Sequence, residues 1–123
     1  MMKLQKLLGM RSPKRLLAGV LGALCLSSAA FAGQAGSVTI THVLIGPVFG
    51  NMIFVSVSGA VAGPPACSDN TAWSFVLPLT TPLENQMLAI LLTAQATKST
   101  VTITGTGQCD VYNNVETLQK IQL

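Results

Sequence analysis

The chain has 123 residues, half of them hydrophobic and only 9% charged, with seven basic residues against four acids and a formal charge of +3. A chain of this length holds one domain. Its basicity is local: Lys3, Lys6, Arg11, Lys14 and Arg15 all fall in the first fifteen positions, whereas from Gly33 onward Lys98 and Lys120 face Asp69, Glu84, Asp110 and Glu116, a net of −2. Phosphate-backbone binding therefore has no electrostatic basis, and nucleic acid is not expected as a partner.

The basic start is followed by a short apolar run, Leu16 to Leu24, and then by Ala30-Phe31-Ala32. Basic region, apolar core and small-x-small site together predict a secretory signal peptide over 1–32, leaving a domain over 33–123. The run is short for a membrane span, so no membrane association is expected after cleavage. Cys25 follows Leu24 rather than a small residue, so it lacks the lipoprotein pattern and should leave with the leader. A secreted or periplasmic location follows. Of three cysteines two then remain, Cys67 and Cys109. An even pair in an exported chain reads as a disulfide closing a loop of about 42 residues, worth at most roughly 4 kcal/mol by chain entropy. A metal pair is the competing reading, but one histidine and no C-x-x-C leave it few ligands, and no metal or cofactor is expected.

In chain order, Gly33 to Gly36 reads as a flexible lead-in. Ser37 to Ile45 alternates as a strand with Val38, Ile40, His42 and Leu44 on its apolar side. His42 is thereby expected in the core. Gly46-Pro47 and Gly50-Asn51 turn the chain, and the intervening Val48-Phe49 is unusually apolar for an exposed connection. Met52 to Ser58 is the second strand, with Ile53, Val55 and Val57 facing one way. A Gly/Pro/Ala-rich loop runs to Asn70. Thr71 to Leu77 is the third strand, with Trp73, Phe75 and Leu77 on one face, so Trp73 is expected in the core.

Thr81-Pro82-Leu83-Glu84 fits a capping box with proline at the first helical position. Leu83, Met87, Ile90, Leu91 and Ala94 then form an apolar stripe that Leu88 and Leu92 widen. Such a helix either lies across its own sheet or is also covered by neighbouring subunits. Thr100 to Thr104 alternates as the fourth strand, and Gly105-Thr106-Gly107 allows a bulge or bend. Asn113-Asn114 suits a two-residue hairpin turn because Asn tolerates positive φ. The last segment could be strand or short helix; Val115 and Thr117 favour strand. The resulting order, β-β-β-α-β-β, predicts a mainly β protein with one helix, an OB-fold-like five-stranded barrel.

Ala66-Cys67-Ser68, Asn70, Trp73-Ser74-Phe75, Gln86-Met87-Leu88 and the Val101–Ile103 strand resemble the B subunit of subtilase-type AB toxins and small exported bacterial proteins similar to it. The resemblance implies an OB-fold that assembles into a ring and binds glycans. The subunit's sugar-contacting serine falls at Gly36, so no sugar-contacting residue carries over.

Asp69 and Asp110 each lie within two residues of a disulfide cysteine, where a pair of carboxylates could meet a cation or a ligand hydroxyl. Tyr112, beside Asn113-Asn114, is an aromatic suited to stacking on a sugar face. Asp69, Asn70, Asp110, Tyr112 and Asn113 are therefore the candidate ligand-binding residues. With no G-x-S-x-G elbow and no base set beside a nucleophile, no catalytic residue is expected and the chain is not read as an enzyme. Two functions remain: an exported binding module for a glycan or other surface ligand, forming a homo-oligomer, or a periplasmic or cell-surface interaction or structural protein with no small-molecule ligand.

Overall fold

A computed structural model describes residues 31–123; the leader reading, Cys25 included, lies outside the described residues except at Phe31 and Ala32. Six strands and one helix follow in order: β1 (Gln34–Val38), β2 (Ile40–Ile45), β3 (Met52–Val57), β4 (Phe75–Pro78), α1 (Pro82–Thr97), β5 (Val101–Gly105) and β6 (Glu116–Gln122). The sheet order is β1-β5-β6-β4-β3-β2, with every pair antiparallel except β4 and β6. The two edge strands, β1 and β2, are successive in the chain and separated by Thr39 alone. One bent segment thus closes the sheet, pairing with β5 by its first half and β3 by its second. Counted as one strand, it gives the five-stranded, OB-fold-like barrel that the element order predicts.

The bend has a local cause. The register shifts between Ala35 and Val38, and Ser37 between them takes a left-handed φ of 52°. A second shift lies between Ile40 and His42. Each extra residue reverses which face the following side chains meet. Ile40 therefore lies in the main core and Val43 packs on it, while His42 is exposed and Leu44 reaches the outer face. The core histidine expected from simple alternation is corrected by this bulge.

Two further boundaries differ from the sequence reading. The supposed lead-in is a strand, because Gln34 exchanges both backbone bonds with Ala62 (2.9 and 2.8 Å) and Ala35 is buried against β5. The third strand starts at Phe75 rather than Thr71, because the Asn70 side-chain oxygen takes the N–H groups of Ala72 and Trp73, both at 2.9 Å. An Asx-type turn has captured two donors that a strand would have given to its neighbour. Trp73 consequently packs with the outer cluster and is half-buried, not a core residue alongside Phe75 and Leu77.

The core is aliphatic apart from Phe75: Ile53, Val55, Leu77, Ile103 and Leu118 from the sheet meet Leu91 and Ala94 of α1, with Met87 and Leu88 packed alongside. The helix begins as its capping box dictates, with Thr81 Oγ1 accepting from the Glu84 N–H and Glu84 Oε2 accepting from the Thr81 N–H at 3.1 Å. It ends at Lys98, a left-handed residue whose N–H caps the last turn. The buried stripe is narrower than the sequence pattern, for Leu83 and Leu92 stay exposed. No described helix is long and apolar enough to cross a membrane.

Candidate functional site

Because strand side chains alternate, β3 and β4 present Phe54 and Val76 on the face opposite the core, where they join Val115 in a second cluster. Three separate connections each bring an aromatic ring to Phe54. Phe49, from the short 3-10 turn Pro47–Phe49 between β2 and β3, meets it edge-on with centroids 5.1 Å apart. Tyr112, from the β5–β6 connection, meets it at 4.8 Å and 86°. Trp73, just ahead of β4, lies tilted at 5.8 Å. Phe54 is buried beneath, whereas Phe49, Trp73 and Tyr112 are half-buried. Edge-to-face pairs of this kind contribute about 0.5–1.5 kcal/mol each beyond the area they bury.

The loops around this face are tied down. Cys67 and Cys109 form a disulfide with Cα atoms 6.1 Å apart, joining the β3–β4 loop to the β5–β6 connection. Asn70 adds a second tie: its N–H donates to the Asn114 carbonyl at 3.2 Å, and its side-chain amide donates to Asn114 Oδ1 at 3.3 Å. Asn113-Asn114 does form a two-residue turn, closed by Val115 N–H to the Tyr112 carbonyl at 3.3 Å, but neither asparagine takes a positive φ.

The sequence candidates thus lie on the two loops that the disulfide joins, in different roles. Asn70 organises the loops. Tyr112 forms part of the aromatic face. Asp110 accepts a 2.6 Å bond from the Thr117 hydroxyl, Asp69 is exposed on the disulfide loop, and Asn113 is exposed at the turn. Among the described residues no group of three or more His, Cys, Asp or Glu could hold a metal ion. A cleft of about 240 Å³ runs beside Trp73, between Val61, Pro64, Ser68 and Asn70. A second, of about 450 Å³, lies between β2 and the end of α1, lined by Thr39, Thr41, Gln95 and Lys98. Sequence reasoning did not single out Phe49 and Phe54 as site residues. Their signal was the apolar Val48-Phe49 connection leading into a strand with phenylalanine on its other face.

One polar group lies apart from this face. Glu116, at the start of β6, is fully buried. Its Oε1 accepts from the backbone N–H groups of Gly33 and Gly107, each at 2.8 Å, while Oε2 is buried with no hydrogen-bond partner among the described residues. Glycines make the space: a Cβ at Gly105 would lie 2.2 Å from the Glu116 carboxyl carbon, and one at Gly33 would lie 2.3 Å from Oε2. The strand's phase carried the signal, since Glu116 shares a face with the core residue Leu118.

The chain matches no protein-family model, no curated protein and no solved structure.

Proposed function

We propose that this chain is an exported, non-enzymatic binding module whose ligand face is the outer surface of β3 and β4, and that its ligand class is glycans. The observation that carries the reading is the convergence of Phe49, Trp73 and Tyr112, from three connections, on Phe54. OB-folds bind oligosaccharides and oligonucleotides on this face, flanked by the connections that here supply Phe49 and Tyr112. The net negative charge beyond residue 32 favours the sugar over the nucleic acid. The half-buried Phe49, Trp73 and Tyr112 would offer apolar surface to a pyranose, and Asp69, Asn70, Asp110 and Asn113, on the two loops that the disulfide joins, would meet its hydroxyls. The disulfide supports an extracellular or periplasmic setting. Exposed Leu83 and Leu92 on α1 support a homo-oligomer, in which many weak sites would act together.

A glycan array with the purified protein tests the reading, with a Tyr112→Ala variant as control. Binding at micromolar to millimolar strength that the variant loses is expected. No binding at millimolar sensitivity would favour the second reading, an interaction or structural protein of the envelope. Ile45 and Val48, exposed at 62% and 88% beside the aromatic face, support that alternative. Light scattering measures the oligomeric state under either.

A further inference from the structure

We infer that Glu116 is the built-in receptor for a new N-terminal ammonium group, created when the chain is cut between Ala32 and Gly33. The inference rests on the leader reading and adds a structural consequence to it. Three observations converge on one bond. Ala30-Phe31-Ala32 is the small-x-small pattern that places the cut after Ala32. Phe31 and Ala32 are exposed, and Gly33 is the first buried residue among the described ones. The nitrogen that the cut would free is already 2.8 Å from Glu116 Oε1.

In the uncut chain that nitrogen is a peptide N–H with a single hydrogen, which Oε1 takes. Oε2, buried against Gly33, is left without a donor among the described residues. Hydrolysis by an external peptidase breaks the Ala32–Gly33 C–N bond. Water supplies the carboxylate oxygen left on Ala32, and the amine takes up a proton. Gly33 then carries three N–H donors and a positive charge where one N–H stood. That group can keep Oε1 and, with a small rotation of the carboxylate, serve Oε2 as well. A buried carboxylate gains a charged partner, and charge-assisted bonds are roughly twice as strong as neutral ones. Glycine suits this position, because a side chain here would have to displace Glu116 Oε2 and Val61 Cγ1. Because Gly33 also holds Gly105 through its carbonyl at 2.9 Å, the pair would pin the start of β1 to β5 and β6 together.

The test begins with the full chain expressed with its leader and the processed protein collected. Its N-terminus is sequenced, and a start at Gly33 is expected. Native protein treated with an acetylating reagent should be modified at the exposed Lys98 and Lys120 but protected at the Gly33 amine, which should react once the chain is unfolded. Acetylating that amine in denaturant at mildly acidic pH, where the lysines remain protonated, and refolding should lower Tm by about 5 °C or more. In Glu116→Gln the same acetylation should leave Tm unchanged. A Gly33 amine that labels in the native state as fast as the lysines overturns the receptor, as does an acetylation cost that persists without the carboxylate. If Glu116→Gln does not fold, native labelling of the parent chain decides. A mature start at another residue overturns the leader cut itself, a failure distinct from either labelling result.

Discussion

Inside the barrel, Ile53, Val55, Phe75 and Leu77 are enclosed on all sides by aliphatic neighbours and the helix. One residue along the same strands, Phe54 and Val76 lie under residues that are only half-buried, Phe49, Trp73 and Tyr112. The two layers share a backbone but differ in what holds them. The inner one is closed by packing alone. The outer one is closed by covalent and hydrogen-bonded ties between loops, the disulfide and the Asn70–Asn114 pair. A face held at its margins can keep apolar surface exposed without collapsing, which is what a binding surface needs.

The contrast makes the inner layer the costlier to damage. Phe75→Ala leaves a void where nothing can move in, and should lower unfolding free energy by about 3–5 kcal/mol, read by denaturant titration. Should it cost less than about 1 kcal/mol, the barrel interior is not the closed layer described. Replacing both Cys67 and Cys109 by alanine should cost about 2–4 kcal/mol. It should also raise amide exchange in the loop from Gly59 to Asn70 and around Tyr112 more than in β3 or β5. Uniform loosening would mean that the bridge supports the core and not the outer face. Tyr112→Ala removes one half-buried residue from the outer cluster and should cost only about 1 kcal/mol, yet abolish the glycan binding proposed above. Such a split between small stability loss and complete loss of binding is the signature separating a ligand face from a structural cluster.

The two layers were not equally legible in the sequence. Element order and the helix start at Thr81-Pro82 follow from local rules of periodicity and capping, and the Cys67–Cys109 bridge follows from the even cysteine count expected of an exported chain. The barrel's core residues on β3 follow as well, because Ile53, Val55 and Val57 alternate without interruption. The first strand does not yield to the same rule, since bulges beside Ser37 and between Ile40 and His42 reverse its phase twice. Trp73 was misplaced for a similar reason: the side chain of Asn70 took backbone donors from the strand. The outer face needs Phe49, Phe54, Trp73 and Tyr112 together, residues as far apart as 63 positions. Their meeting depends on topology, which no single window of sequence contains. Tyr112 and the nearby Asn70, Asp110 and Asn113 could still be proposed, because the disulfide joins their two loops.

The smallest effect concerns α1, which packs against β2, β4 and β6 from the core side and so belongs to the inner layer alone. Thr81→Ala removes the oxygen that accepts the Glu84 N–H and should cost about 1 kcal/mol near neutral pH. Glu84 itself is held below its usual 4.5, chiefly by the backbone N–H of Thr80; burial, next in size, opposes this, and the backbone N–H of Thr81 adds to the lowering. A carboxyl whose proton affinity is lower in the folded chain than in the unfolded one stabilises the fold fully above its unfolded value and loses that contribution as the pH falls through its folded one. The parent protein should therefore lose stability as pH drops below about 4.5, while Glu84→Gln loses less over the same range. Because the group is largely solvated, the difference should be small and weaken in salt. Amide exchange should show the loss in the first turn of the helix and not around Tyr112. Equal loss at both places would show that the helix cap and the aromatic face are coupled, and that the inner and outer layers respond as one unit.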